Sequence, residues 1–400
     1  MLLLHASAAL NAAPARARTP VLQLGSVSPM DSGKTLLFQD QKQAIIKRAE
    51  KERQMLEPNT QQMTLPRRGA KKKQNKRGAA SGGGGFGANS VTRTASQQAD
   101  DLRAETVATD GVCLVESVLS SESAEQLKGC ISDELARAYT AVEDDPASCI
   151  GRFNVPVETF DPLRGYLLLP LRDEASVEAA AASSEAAAAT GGGLLTSAMK
   201  GLLAPGSPLG ELFETTCAGS NAELYDLVAL RTEPGANRQP IHSDTPYQKV
   251  PGLFCAFIAL QDVSYSMGTT VFLPGTHTGS KGARKAFDDG QFDGRRDEML
   301  SKVDSRYSML KAGDAVFFNM NTLHAGTANF ETADGGSQRL LFVLTFRNLK
   351  GKKPLGHLPN LRPGYRDRGI TLADMRKELE TSDPFAGVNK RDGTLFGTGL

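Results

Sequence analysis

The sequence predicts a mainly β protein with flanking helices, a sandwich or barrel of the jelly-roll kind, preceded by a disordered basic N-terminal region. A buried strand at Val112–Val115 and a helix that starts near Ser121 predict the first flanking elements. Many short strands at fairly regular spacing are typical of a jelly roll. The strands are predicted from short apolar runs between glycine, proline and aspartate turns, at residues 224–230, 253–260, 270–273, 315–318 and 340–346.

Charge is divided unevenly along the chain. The 400 residues carry 46 lysines and arginines against 45 acids, but residues 1–100 hold 16 basic and only 6 acidic side chains. The run 67–77 contains no acid and could contact nucleic acid or a membrane surface, although such runs are more often solvated linkers. Residues 1–30 contain no acid, which is typical of a plastid or mitochondrial targeting segment, the alternative being an unstructured start.

Three compositional features limit the class of protein. The five cysteines are odd in number and form no Cys-x-x-Cys pair, which argues against a disulfide framework or a structural zinc site. No apolar run approaches the roughly 20 residues of a membrane-spanning helix, so we expect a soluble protein. We divide the chain into a leader at 1–100, a globular domain at 101–350 and a C-terminal extension at 351–400.

Two histidines and one aspartate predict a metal site. His242 and Asp244 are two residues apart, so on an extended chain both side chains point to the same side. His324 follows a predicted strand and precedes a turn of small residues. Two imidazoles and one carboxylate suit ferrous iron or another divalent metal, and as a facial triad they leave open positions for substrate and oxygen.

Arg339 predicts an anion site near these ligands. It lies in a predicted strand whose two faces are both apolar. Burying an unpaired guanidinium there would destabilise the fold by roughly several kcal/mol unless an anion binds it. The partner could be an Asp or Glu of the protein. Because Arg339 follows His324 closely in the sequence, we favour the carboxylate of a bound co-substrate.

These residues, taken together, resemble the phytanoyl-CoA dioxygenase family of Fe(II)/2-oxoglutarate oxygenases. The resemblance covers about residues 105–350. Its motifs are His242-Ser243-Asp244, the segment GTTVFLPGTH at 268–277, KAGDAVFF at 311–318 leading to HAGTAN at 324–329, and finally Arg339.

The resemblance implies a double-stranded β-helix and an enzyme that couples the decarboxylation of 2-oxoglutarate to C–H hydroxylation with O2. It assigns iron to His242, Asp244 and His324, and the far carboxylate of 2-oxoglutarate to Arg339. Gly326 stands where some family members place a co-substrate hydroxyl, so Thr270 or Thr327 would have to compensate. His277 matches a motif position and is expected to hold a turn rather than bind metal.

Other classes of function stay open from the sequence alone. One is a β-barrel metal-dependent enzyme without 2-oxoglutarate, in which turnover would survive removal of Arg339. The other is a non-catalytic interaction protein that docks through residues 41–77. The substrate is not indicated; the basic residues of the polar stretch 279–306, which we interpret as a lid, could meet an anionic substrate or be solvated.

Overall fold

A computed structural model describes residues 32–66, 94–154, 161–172, 193–279, 282–366, 368–382 and 384–385. The proposed targeting segment 1–30, the basic run 67–77 and nearly all of the alanine-rich insert 179–193 lie outside the described residues. The side chains of helix α1 are described from residue 42 onward.

Two facing sheets form a double-stranded β-helix. The strands of the described ranges are β1 (Thr60–Gln62), β2 (Val112–Val115), β3 (Phe153–Asn154), β4 (Arg164–Leu168), β5 (Glu223–Thr232), β6 (Leu253–Ala259), β7 (Thr270–Phe272), β8 (Ser305–Tyr307), β9 (Ala315–Asn319), β10 (His324–Gly326) and β11 (Arg339–Arg347). The large sheet has the order β2-β9-β6-β11-β5-β4-β3 and the small sheet β1-β8-β7-β10. All pairings are antiparallel except β1 with β8. The jelly-roll prediction is confirmed.

Helices cover the outer face of the large sheet and one side of the small sheet. In chain order they are α1 (Ser32–Leu56), α2 (Ala95–Asp110), α3 (Ser121–Asp144), α4 (Cys149–Arg152), α5 (Gly193–Leu203), α6 (Pro208–Thr216), α7 (Ala283–Asp289), α8 (Arg295–Leu300), α9 (Pro363–Arg366) and α10 (Leu372–Leu379). Helix α3 is present as expected, but its N-cap is Ser120 rather than Ser121: the side chain of Ser120 accepts from the backbone N–H of Ser123 at 3.0 Å. No helix of the described ranges is long and apolar enough to cross a membrane.

The alternation of β11 separates two apolar layers. Leu340, Phe342, Leu344 and Phe346 pack toward the helices in the largest core cluster, whereas Leu341 and Val343 pack inside the barrel. Each fully buried side chain of this size stabilises the fold by about 1.5–3 kcal/mol. Arg339 starts the same strand, so the alternation directs it to the inside with Leu341.

Residues 32–66 pack against the barrel. The sequence analysis grouped them with the disordered leader, and the structure corrects that expectation for this segment. Helix α1 runs over Ser32–Leu56, and Thr60 of β1 pairs with Ser305 of β8. The physical reason is burial: Ala49, Leu56 and Met63 are at most 5% exposed. Most of the described charged side chains of helix α1, such as Lys47, Glu50 and Lys51, are exposed, whereas Glu52 is buried. The domain limits stay a prediction.

Candidate active site

The three predicted ligands meet at one end of the barrel, where two segments run side by side. The backbone N–H of His242 donates to the carbonyl of His324 at 3.0 Å, and the N–H of His324 donates back at 2.8 Å. This exchange aligns the segment that carries His242 and Asp244 with the start of β10. As a result, ligand atoms of all three side chains lie within 4.8 Å of one another.

The geometry of the three side chains suits a divalent ion. Nε2 of His242 lies 3.6 Å and Nε2 of His324 lies 3.4 Å from the carboxylate oxygens of Asp244. An ion with bonds of about 2.1 Å needs neighbouring ligand atoms about 3 Å apart, which small rotations of these side chains would provide. The second ring nitrogens are already used: Nδ1 donates to the carbonyl of Pro240 at 2.8 Å in His242 and to that of Thr322 at 3.0 Å in His324. These bonds fix the tautomer that leaves Nε2 free for a metal.

Burial favours the neutral form of His324. Its ring stacks on Phe272 at 5.5 Å between centroids and meets the edge of Phe318 at 5.3 Å. Desolvation by this packing lowers the pKa of His324 below its ordinary value, against the opposing effect of the Asp244 carboxylate. A neutral imidazole is the form that binds a metal, so the packing prepares His324 as a ligand.

Arg339 is buried inside the barrel, and among the described residues it has no ionic partner. Its side chain is 1% exposed, Nη2 donates to Oγ1 of Thr232 at 3.1 Å, and Nη1 donates to the carbonyl of Gly268. Nε has no hydrogen-bond partner, and no carboxylate of the described residues forms an ion pair with this guanidinium. Desolvation, together with the nearby charge of Arg164, lowers the pKa of Arg339 to about 9. The expected alternative, an internal Asp or Glu partner, is therefore absent from the described part of the chain.

A second buried guanidinium, that of Arg164, lies beside Arg339 and was missed in the sequence. It donates to the carbonyl of Asn237 through Nε at 3.0 Å and Nη2 at 2.7 Å, and to the carbonyl of Thr327. Desolvation lowers its pKa to about 10, with Asp161 nearby as a partial counter-charge beyond ion-pair distance. Arg164 starts strand β4 as Arg339 starts β11, which is a signal in the sequence, but its place beside Arg339 is set by the pairing of both strands with β5.

Both arginines and both histidines line one cleft of about 450 Å³, measured with the open space at its mouth. Thr270 also lines this cleft, directly across the β7–β10 pairing from Gly326. Thr327 does not: strand alternation turns its side chain away, and its buried Oγ1 has no hydrogen-bond partner in the described structure. Of the two threonines proposed to compensate for Gly326, only Thr270 is placed to meet a ligand.

Gly326 leaves room for polar groups that a side chain would displace. A Cβ at this position would lie 2.6 Å from Oε1 of Gln239 and 2.8 Å from Nη1 of Arg164. The Gln239 oxygen accepts from the backbone N–H of Gly326 at 2.9 Å. The space that a hydroxyl-bearing residue would fill is therefore occupied by the amide and guanidinium groups of two other residues.

Two other predicted residues lie outside the cleft lining. His277 contacts the carbonyl of Ala108 through Nε2 at 3.2 Å and packs against Gly111, in keeping with the structural role expected of it. Arg284, one of the basic residues of the proposed lid, is 4% exposed and contacts Ser243 instead of solvent. The basic residues of the proposed lid were expected either to meet an anionic substrate or to be solvated. Arg284 does neither.

The fold and site together define a class: a double-stranded β-helix protein with two histidines and one carboxylate at the mouth of the barrel. Within this class, residues 211–333 match the family model described as phytanoyl-CoA dioxygenase (PhyH). The matched stretch contains all three predicted ligands and ends before Arg339. This part of the chain is therefore similar to the phytanoyl-CoA dioxygenase family.

Two curated proteins are similar to part of the chain. Human peroxisomal phytanoyl-CoA dioxygenase is 28% identical over 103 residues, 23% of this chain and 30% of that protein. The dioxygenase FrzG of Cladobotryum sp is 34% identical over 114 residues, 26% of this chain and 35% of FrzG. The similarity thus spans about a third of each of these relatives.

Solved structures with a similar arrangement include two proteins described with 2-oxoglutarate. The carbocyclase SnoK from nogalamycin biosynthesis, described as α-ketoglutarate dependent, has a TM-score of 0.43 and 16% identity over 64% of this chain and 86% of SnoK. HygX from Streptomyces hygroscopicus, with nickel and 2-oxoglutarate bound, has a TM-score of 0.37 and 12% identity over 62% of this chain and 86% of HygX.

Proposed function

We propose that the chain is an Fe(II)- and 2-oxoglutarate-dependent dioxygenase that hydroxylates a C–H bond of a small-molecule or lipid-like substrate, releasing succinate and CO2. The observation that carries this proposal is the pair of buried guanidinium groups of Arg164 and Arg339 in the same cleft as the metal-binding histidines. 2-Oxoglutarate has a carboxylate at each end. One end can meet the arginines while the other end and the adjacent keto oxygen reach the metal.

The donor set fits iron. Two imidazole nitrogens and one carboxylate on one face of an ion leave three positions open, as non-haem iron oxygenases require. His242, Asp244 and His324 would hold the ion, and the bonds from Nδ1 to the carbonyls of Pro240 and Thr322 would hold the rings in place. Bound iron would supply the activation of O2, for which protein side chains have no suitable groups.

The other residues of the cleft would bind and orient the co-substrate. Arg339 has an unpartnered Nε, and Arg164 shares the acceptor Thr232 with it, so an incoming carboxylate would find donors already oriented. Thr270 lies across from Gly326 and would add a hydroxyl to this end of the site. Leu230 and Phe257 line the same cleft and would exclude water from the reacting atoms.

The proposal is tested by titrating the anaerobic protein with Fe(II) and then with 2-oxoglutarate, watching for a weak visible charge-transfer band. We expect the band in the wild type and its loss in His324→Ala, with the far-ultraviolet circular dichroism of the two proteins unchanged. Absence of the band in the wild type, or an unchanged band in the variant, would contradict the assignment. A succinate-release screen over CoA esters, lipids, amino acids and small metabolites would then address the substrate.

A further inference from the structure

Arg284 of helix α7 bridges the two chain segments that carry the predicted metal ligands. Its Nη2 donates to Oγ of Ser243 at 2.9 Å, and its Nη1 donates to the carbonyl of Asn321 at 2.6 Å. Ser243 stands between His242 and Asp244. Asn321 precedes Thr322, whose carbonyl accepts the Nδ1–H bond of His324. One guanidinium therefore contacts the immediate surroundings of all three ligands without touching any of them.

The orientation of this guanidinium is fixed from its own helix. Nε of Arg284 donates to Oδ2 of Asp288 one turn later, at 2.7 Å, and the arginine side chain is 5% exposed. All three of these contacts are made by a planar fork whose donors point in set directions. A lysine, with a single nitrogen, could not reach Ser243, Asn321 and Asp288 together.

The contact with Ser243 also sets the hydrogen-bond direction of that hydroxyl. Because Arg284 donates to Oγ, the hydroxyl proton is directed to the carbonyl of Thr245 at 3.0 Å. The side chain of Thr245 in turn donates to Oδ1 of Asn321. The turn that presents Asp244 is thus closed from both sides, with Arg284 supplying a charged donor.

We infer that Arg284 is a positioning residue for the metal site: it holds the His242–Asp244 segment and the turn before His324 at the separation that three ligands to one ion require. This inference rests on the metal site of the proposed function. A ligand set held in advance loses less conformational freedom on binding, and outer partners of metal ligands typically change metal affinity about 10- to 100-fold. Helix α7 would then couple the lid to the ion, which is a different role from binding an anionic substrate.

The test uses Co(II) alone as the probe, titrated anaerobically into the metal-free full chain and followed by its visible absorption. We expect the dissociation constant to rise about tenfold in Arg284→Lys. Ser243→Ala, which removes one contact and leaves the arginine in place, should raise it by a smaller factor. Arg296→Ala is the matched control, because this arginine of the next helix stacks on Phe287 at 4.2 Å and makes none of these contacts.

Thermal unfolding of each metal-free variant separates positioning from a merely structural role. A lower unfolding temperature of Arg284→Lys with an unchanged Co(II) dissociation constant would overturn the inference. If Arg284→Lys fails to fold, Ser243→Ala becomes the test. A Co(II) dissociation constant of Ser243→Ala within twofold of the wild type would overturn the inference. If the wild type itself binds no Co(II), the metal site of the proposed function is contradicted as well. If the wild type binds Co(II) and the variants bind it equally well, only the positioning role of Arg284 is contradicted.

Discussion

Arg164 and Arg339 donate to the same acceptor. Nη1 of Arg164 lies 3.5 Å and Nη2 of Arg339 lies 3.1 Å from Oγ1 of Thr232, so two buried cations sit on either side of one hydroxyl. Burial opposes both charges and lowers the pKa of Arg164 to about 10; at Arg339, burial together with repulsion by Arg164 lowers the pKa to about 9. A bound carboxylate would offset both charges, in line with the co-substrate site that we propose.

Removing Arg339 should abolish tight binding of 2-oxoglutarate and spare the metal. Loss of one partner of a buried, hydrogen-bonded charge pair costs about 2 kcal/mol or more, a weakening of about 30-fold. We expect Arg339→Ala to raise the dissociation constant of 2-oxoglutarate by at least this factor in anaerobic titrations. Co(II) affinity should stay within about threefold.

Arg306→Ala is the control for this change. Arg306 forms an ion pair with Asp110 at 3.1 Å, about one third exposed, away from the residues that line the cleft. Its removal should leave 2-oxoglutarate affinity unaltered. Turnover that survives in Arg339→Ala with unchanged 2-oxoglutarate dependence would instead support a metal enzyme that does not use this co-substrate.

A methyl group at Gly326 should weaken co-substrate binding through Arg164. The Cβ of Gly326→Ala would approach Gln239 and Arg164 to 2.6 and 2.8 Å, so the guanidinium must move. We expect the dissociation constant of 2-oxoglutarate to rise about tenfold, since a charge-assisted hydrogen bond contributes roughly 1.5–3 kcal/mol. Gly201→Ala is the matched control, because a Cβ there meets nothing within 4 Å and favours helix α5. Equal 2-oxoglutarate affinity in the two variants would contradict this role of Arg164.

The sequence predicted the parts of the site that local spacing controls. The two-residue spacing predicted that His242 and Asp244 lie close together, which they do, although a turn rather than an extended strand presents Asp244. Arg339 faces inward because side chains alternate along β11. Such regularities need no knowledge of how distant segments meet. The longer β-strands were predicted from short apolar runs between turn residues, a signal that the short strands β1, β8 and β10 do not carry.

The residues that sequence reasoning missed act through tertiary contacts. Arg164 approaches Arg339 only because β4 and β11 both pair with Thr232 of β5. Arg284 reaches Ser243 only once helix α7 packs, through Phe287, against Ile241 and Leu323, so its burial cannot be deduced from a polar stretch of sequence. Helix α1 was grouped with the leader because its charge hides the few small and apolar residues that it buries.

Acid should destabilise the fold partly through His277. Burial lowers its pKa in the folded state below the ordinary value, so between the two values the unfolded chain binds more protons. Stability that is present above the unfolded pKa is therefore lost as the pH falls toward the folded pKa. We expect the free energy of unfolding to decline less steeply from pH 7 to pH 5 in His277→Gln than in the wild type. Because every carboxylate is retained, the difference between the two urea-unfolding series isolates the imidazole; parallel pH profiles would contradict the assignment.

Glu52 should stabilise the fold from helix α1. It is 3% exposed, and its Oε2 accepts from the backbone N–H of Ile241 at 2.6 Å, while Arg48 pairs with its other oxygen at 2.9 Å. Glu52→Ala leaves a buried N–H without an acceptor next to His242, so we expect a loss of about 1–3 kcal/mol in urea unfolding.

Glu50→Ala is the natural comparison, because Glu50 forms an exposed ion pair with Arg53 at 2.6 Å on the same helix. Pairs of this kind contribute about 0–1 kcal/mol. If Glu52→Ala is no more destabilising than Glu50→Ala, helix α1 does not contribute to the fold through this bond. A larger loss in Glu52→Ala, accompanied by weaker Co(II) binding, would show that the segment before residue 100 supports the segment that carries His242.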